Sequence, residues 1–236
     1  MGVFNFKRFS VDDSGCGMKI SSDSVLLAAW FLQPYSQATT LADIGAGSGV
    51  LSLIGAQICA TAAITAIELE SNAARAAKLN FETSPWSSRL RLIEGDFALF
   101  TPSQRFELII SNPPYFNTGE RAADTSRATA RHQSEELNYH TLLEKASLWL
   151  DANGHLGFIS PTEFEDNIVY NAELHHLKLR RLARVHTTQK KTATRLLWDF
   201  SLSDGTTVIE NINLRNADGS PADEYIKIVE PFYVKI

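Results

Sequence analysis

Short apolar runs alternate along the chain with longer stretches whose apolar positions recur at helical spacing. Thr40–Ile44, Ala63–Ile67, Leu90–Ile93, Phe106–Ser111 and Gly154–Ser160 read as strands. Between them, residues 50–60, 71–83 and 138–151 are rich in Ala, Leu and Glu and read as helices. Strands alternating with helices imply a parallel sheet covered on both faces. A helix over Thr162–Leu177 is expected after Pro161, then a sixth strand at Leu179–His186. Residues 194–202 and 205–211 flank the turn-forming pair Asp204-Gly205 and are expected to close the sheet as a hairpin. Ahead of the first strand, Ser22 or Asp23 can cap a helix ending at Leu32. The expectation is a single α/β domain: a doubly wound, seven-stranded, mostly parallel sheet with an antiparallel last strand. Residues 1–38 form its N-terminal extension and helix, and 39–236 its core.

Composition narrows the classes. With 236 residues, 44% hydrophobic and 21% charged, the chain is an ordinary globular protein with one sizeable core. Two cysteines, Cys16 and Cys59, are too few for a disulfide framework or a zinc site and fit a reducing cytoplasm. Carboxylates, His and Cys never cluster, so no metal is indicated. No apolar run is long enough to span a membrane. Lys7 and Arg8 have no apolar segment behind them, so the N-terminus does not read as a signal peptide. The net charge of −5 gives no general attraction to nucleic acid, so such a partner must be held by a local patch. The chain is expected to act as a monomer.

The first strand runs into Asp43-Ile44-Gly45-Ala46-Gly47-Ser48-Gly49, which opens a helix. Glycines there let backbone approach a ligand, and a helix N-terminus offers free N–H groups. A tight strand-to-helix turn would look the same, but two details sharpen the signal. The sixth place of a dinucleotide fingerprint calls for Gly or Ala and here holds Val50. No Lys or Arg occurs from Ile20 to Ala74, while Asp23, Asp43, Glu68 and Glu70 do. That distribution suits a ligand bearing an ammonium and a sulfonium better than one bearing phosphates. Glu68 ends the second strand, where a carboxylate can accept two ribose hydroxyls. Asp96, followed by Phe97, comes after the third strand and can take an adenine amino group. The cofactor implied is S-adenosylmethionine, held by Asp23, Asp43, Gly45, Gly47, Gly49, Glu68, Asp96, Phe97 and Asn112.

The fourth strand ends in Ser111-Asn112-Pro113-Pro114-Tyr115-Phe116, the most specific motif in the chain. Two prolines remove backbone donors, so the turn presents carbonyl oxygens with little competition. An amide side chain beside a donor-free carbonyl makes a pair of acceptors for a planar NH2 group, and Tyr115 offers a flat face for stacking. An adenine amine is a poor nucleophile because its lone pair is delocalised. Two acceptors on its hydrogens favour a pyramidal nitrogen aimed at the methyl group, so positioning and electrostatics can supply most of the catalysis. Asn112, Pro113, Pro114 and Tyr115 are therefore the candidate catalytic residues.

In that order, Asp-x-Gly-x-Gly-x-Gly, Glu68, Asp96 and the Asn-Pro-Pro-Tyr tetrad resemble the class I S-adenosylmethionine-dependent methyltransferases that act on amino groups, which implies a Rossmann-like fold over residues 20–160. A closer match runs nearly end to end through Phe4-Asn5-Phe6-Lys7, Cys16-Gly17-Met18-Lys19, Leu26-Leu27-Ala28-Ala29-Trp30, Ile67-Glu68-Leu69-Glu70 and Ser84-Pro85-Trp86. Those segments are similar to the bacterial tRNA1(Val) (adenine(37)-N6)-methyltransferase family. The resemblance implies methylation of the exocyclic N6 of adenosine 37, beside the anticodon of a valine tRNA. One departure is Ser21-Ser22-Asp23-Ser24, where the family usually shows Gly-Thr-Asp-Gly.

From Leu174 to Trp198 there are seven basic residues (Lys178, Arg180, Arg181, Arg184, Lys190, Lys191 and Arg195) and no acid. In an acidic protein this block is a candidate footprint for a phosphate backbone. Arg121, Arg127 and Arg131 lie in the polar stretch 117–135 after the tetrad, which is placed to close over a base. Lys19 adds a contact from the N-terminal extension. Any single Lys or Arg here can equally be a solvated surface charge. A glutamine-N5 protein methyltransferase uses the same tetrad but usually adds a helical N-terminal domain, and only about 40 residues precede the first strand. Other RNA or DNA N6-adenine methyltransferases usually add a recognition domain for which no residues remain. A cofactor-binding module without catalysis would not need the tetrad and the acids together.

Overall fold

The computed structural model describes residues 2–113 and 139–235. Strands β1 (Val3–Asn5) and β2 (Ser10–Asp12) pair antiparallel as a separate two-stranded sheet. The chain continues through α1 (Ser22–Leu32), β3 (Thr40–Ile44), α2 (Val50–Ile58), β4 (Ala63–Glu68), α3 (Ser71–Thr83), β5 (Leu90–Glu94) and β6 (Phe106–Ser111). A helix over 139–149, α4, leads into β7 (Leu150–Pro161) and α5 (Glu165–Leu174). It closes with β8 (Lys178–Thr188), β9 (Ala193–Ser201), β10 (Val208–Arg215) and α6 (Asp223–Val229). Among the described residues the main sheet has eight strands in the order β10-β8-β9-β7-β6-β3-β4-β5. All neighbours are parallel except β9, which is antiparallel to both β7 and β8.

Local sequence explains the elements that build the site. α1 is apolar all round and is buried from Ser24 to Leu32, as a helix enclosed on every side must be. Its cap is Ser21, whose side chain accepts from Ser24 N, in place of the expected Ser22 or Asp23. α3 buries Ala73, Ala74, Ala77, Asn80 and Phe81, one face at helical spacing. Glu70 starts it by accepting from Asn72 N and Ala73 N. The apolar faces collect into two clusters. One gathers α1, α2 and the N-terminal aromatics around Leu41 and Leu108, the other α4 and α5 around Phe158, Trp198 and Phe200. Each such side chain contributes about 1.5–3 kcal/mol by leaving water. Trp198, fully buried, satisfies its indole N–H on Ser160 Oγ at 2.8 Å, so it is core and not a base platform.

The expected closing hairpin does not form. β9 already has both edges occupied, by β7 and β8, so the next strand can pair only with the free edge of β8. β10 therefore lies parallel to β8, making an eighth strand, with Val208 opposite Arg181. Asp204-Gly205 sits in the crossing between them: the Arg180 guanidinium occupies the space a Gly205 side chain would need and donates to Ser203 O at 3.5 Å. The helix expected over Thr162–Leu177 begins as one 3-10 turn and ends at Leu174, before the left-handed residue His176 (φ 58°).

Register sorts the strands' ends. Ser111 at the end of β6 lies beside Ile44 and Phe158, Pro161 lies opposite Arg195, and His186 opposite Ala193. The glycine loop, Asn112, the start of β9 and the β8–β9 turn thus share one edge of the sheet. Lys178, paired with Ser201 and so level with His155, stands at the opposite edge.

Candidate active site

The turn after β3 is held open by glycine. Gly45, Gly47 and Gly49 have φ of 70°, 56° and 83°, a region costly for residues with a side chain. At Gly49 an added Cβ would also run into the Phe81 ring, so that position is closed to any larger residue. Asp43 lies beneath the loop. Fully buried, its Oδ2 accepts from Ser52 N at 3.0 Å and Ser52 Oγ at 2.6 Å, pinning the first turn of α2. Burial pushes its carboxyl up to about 7.

Glu68 joins two walls. Its Oε2 accepts from Gly47 N at 2.7 Å and its Oε1 from Glu70 N at 2.8 Å, so one carboxylate ties the glycine loop to the start of α3. Each oxygen retains a lone pair for a further donor. Asp96 Oδ1 accepts from Ala98 N at 2.8 Å, which leaves Oδ2 as a second acceptor. Between these walls lies a cavity of about 670 Å³ lined by Gly45, Gly47, Glu68, Asp96, Phe97 and Asn112, and also by Cys16, Met18, Leu69, Glu70 and Thr141. A second cavity of about 200 Å³ adjoins it and shares Met18, Gly45, Gly47 and Asn112. The donor set fits S-adenosylmethionine: a strand-end carboxylate for ribose hydroxyls, a second for the adenine amine, and acidic surroundings for the sulfonium and ammonium.

Asn112 stands where the two cavities meet. Its Nδ2 donates to Ser24 Oγ at 2.8 Å, and its Oδ1 is buried with no hydrogen-bond partner among the described residues. Burying an amide oxygen unpaired costs about 1–3 kcal/mol, so this atom is a preformed acceptor. The facing wall is the segment between β2 and α1, held by Asn80. That buried side chain on α3 accepts from Asp12 N and donates to Asp12 O and Ser48 O, each at 2.9 Å, clamping the end of β2 to the glycine loop. Neither Ser24 nor Asn80 was visible as functional in the sequence. Their partners lie 88, 68 and 32 residues away, and no local motif signals them.

Several expected site residues stand elsewhere. Asp23 accepts from Arg195 Nε at 3.2 Å and lines neither cavity; nor does Asp43, which points inward. Lys19 reaches the rim but folds back on Asp13, with Nζ 2.6 Å from its carbonyl oxygen. Arg181 lies over the Trp30 ring at 4.2 Å and pairs with Glu210 at 2.9 Å. Arg184 makes a two-pronged pair with Glu165. Arg180 props the crossing to β10, and Lys178 is at the far edge. Of the basic block, Lys190 and Lys191 are exposed in the turn on the active-site edge. Pro114, Tyr115, Arg121, Arg127 and Arg131 lie outside the described residues. Among the described residues no group of three or more His, Cys, Asp or Glu gathers as a metal site, and no helix is long and apolar enough to cross a membrane.

The chain matches the methyltransferase small-domain family over residues 15–179. It is 39% identical over 233 residues to the tRNA1(Val) (adenine(37)-N6)-methyltransferase of Vibrio parahaemolyticus, covering 99% of this chain and 96% of that protein. The protein of the same name from Vibrio vulnificus is 41% identical over 234 residues, again covering 99% and 96%. In fold it is similar to a protein from Agrobacterium tumefaciens described as a predicted O-methyltransferase (TM-score 0.69, 19% identity, 89% and 96% covered). It is also similar to a glycopeptide N-methyltransferase solved with S-adenosyl-L-methionine (TM-score 0.56, 11% identity, 78% and 96% covered). A Rossmann-like sheet, a glycine loop flanked by strand-end acids and full-length likeness at this level converge: the chain is an enzyme of the methyltransferase small-domain family, and its curated relatives carry the name tRNA1(Val) (adenine(37)-N6)-methyltransferase.

Proposed function

We propose that this enzyme transfers the methyl group of S-adenosylmethionine to the exocyclic N6 of adenosine 37 in tRNA1(Val), acting as a cytoplasmic monomer. The observation that carries the chemistry is Asn112, which lines both cavities and whose amide oxygen is buried without a partner among the described residues. The relatives' names carry the choice of tRNA.

When bound, S-adenosylmethionine supplies an electrophilic methyl group. Glu68 would take the ribose hydroxyls with the lone pairs that Gly47 and Glu70 leave free, and Asp96 Oδ2 would accept from the adenine amine of the cofactor. Asn112 Oδ1 and the Pro113 carbonyl each accept a hydrogen of the target NH2. Holding both hydrogens draws the nitrogen lone pair out of the ring and toward the methyl group. The ring of Tyr115 stacks on the flipped base. An adenosine beside the anticodon lies in a single-stranded loop, so bringing it into a pocket costs little.

For the rest of the tRNA, the geometry favours Lys190 and Lys191, with Lys19 at the rim, over Lys178, Arg180 and Arg181. Only the first group stands on the edge that carries Asn112 without being folded into the interior of the protein. Arg121, Arg127 and Arg131, close to the tetrad in sequence, complete the proposed surface.

The test is transfer of labelled methyl to total tRNA from cells lacking the enzyme, followed by nucleoside analysis. Label in N6-methyladenosine is the expected result. Label in protein glutamine would instead support a glutamine-N5 methyltransferase, and label in another nucleoside would refute the proposed target atom.

A further inference from the structure

Asn112 has one amide atom bonded and one buried without a partner among the described residues. Nδ2 donates to Ser24 Oγ at 2.8 Å, and Oδ1 is the unpartnered atom. An amide is nearly symmetric in shape, so packing alone does not decide which atom faces the cavity. Its hydrogen-bond partners decide.

Ser24 is itself firmly placed. It is 6% exposed, in the first turn of the buried helix α1. Its backbone N–H donates to Ser21 Oγ at 3.3 Å, and its hydroxyl lies 3.4 Å from the same oxygen. Ser24 Oγ thus links the Asn112 amide to Ser21, with either serine hydroxyl able to donate between the two. Turning the amide over would set Oδ1 against Ser24, require the serine hydroxyl to become the donor, and place an N–H where Oδ1 now lies. A donor there faces the hydrogens of the target amine, and one of the two acceptors proposed for methyl transfer is gone.

We infer that Ser24 is a positioning residue for methyl transfer: it fixes the Asn112 amide with its oxygen toward the substrate amine. The inference rests on the proposed role of Asn112. It makes α1, and so the hydrophobic core, the element that orients the acceptor. The Ser21-Ser22-Asp23-Ser24 segment then serves the reaction through two serines, while its acid is engaged by Arg195.

A double-mutant cycle tests this. Turnover of an unmodified valine tRNA transcript is measured at saturating S-adenosylmethionine for Ser24→Ala, Asn112→Ala and the double variant, with cofactor affinity measured by calorimetry. Ser24→Ala is expected to lower kcat about 3–30-fold, in the range of coupling between bonded neighbours, with cofactor affinity unchanged. In the Asn112→Ala background the same substitution is expected to cost nothing further. Ser24→Cys, close in volume but a weak acceptor, is expected to repeat the loss and so separates bonding from packing. Equal losses in both backgrounds, or full turnover in Ser24→Ala and Ser24→Cys, would overturn the inference. Full turnover in Asn112→Ala would show instead that the role of Asn112 itself is wrong, and Ser24 would fall with it.

Discussion

Residues 40–112 and residues 174–198 both carry strong signals, yet they meet opposite fates in the folded chain. In the first region, Gly45, Gly47, Glu68, Asp96, Phe97 and Asn112 are spread over 68 positions and converge on one cavity. In the second, basic residues close together in sequence disperse. Arg181, Arg184 and Arg195 pair with Glu210, Glu165 and Asp23, and Lys178 ends at the far edge. Each acid of the first set ends or follows a β-strand that finishes at one edge, so topology gathers them. The second set lies along strands β8 and β9 and the turn between them, so topology spreads it from edge to edge. A motif tied to strand ends survives folding, whereas a charge count in a window ignores acids distant in sequence.

The sharpest way to break this contrast is at Asn112. Asn112→Ala should reduce turnover by roughly 10²–10³ with cofactor affinity nearly intact, as loss of one preorganised polar contact does. A loss under about tenfold in single-turnover kinetics would demote the tetrad to a structural turn.

Asp43 tests what holds the first region. Its carboxyl, near 4 in an unfolded chain, is raised to about 7 by burial, so the folded state binds this proton more tightly. Its contribution to stability is complete below about pH 4 and is lost as pH rises through 7. Asp43→Asn keeps an acceptor for Ser52 and should remove that loss, a few kcal/mol at most. Urea midpoints between pH 4 and 8 check this; an unchanged pH slope would mean that Asp43 is ionised where it lies.

Glu68→Ala should weaken S-adenosylmethionine binding by about 1–3 kcal/mol, read by calorimetry. The bonds to Gly47 and Glu70 add a consequence: the variant should also melt earlier, because the glycine loop loses its tie. Unchanged affinity would remove Glu68 from the cofactor site.

In the second region the expected effects are smaller and divide by position. Lys190→Ala with Lys191→Ala should weaken tRNA binding and flatten its salt dependence by about one unit per lysine. Arg181→Ala should leave the salt slope alone and lower the melting temperature, since it breaks the contacts to Glu210 and Trp30. A reversed pattern would put the RNA on the β8 face after all.

Much of this was legible from pattern. Thr40–Ile44 and Phe106–Ser111 form strands with the expected bounds, because a buried parallel strand is a bare apolar run between turn residues. The glycine loop and strand-end acids were legible for the same reason. What was hidden depended on partners remote in sequence. Asp204-Gly205 has the chemistry of a hairpin turn, but β7 and β8 had already taken both edges of β9. Asp23 and Asp43 are acids near the loop, yet Arg195 and Ser52 turn them away from the cavity. Ser24 reads as an ordinary first-turn serine until Asn112, 88 residues on, is seen against it.

The central claim is that this sheet edge joins a methyl donor to one adenine amine. It is tested most directly with two valine tRNA transcripts, one with adenosine at position 37 and one with guanosine there, each incubated with the enzyme and labelled S-adenosylmethionine. Label is expected in the first transcript alone, recovered as N6-methyladenosine. Equal label in both transcripts, or label recovered in any other nucleoside, would contradict it.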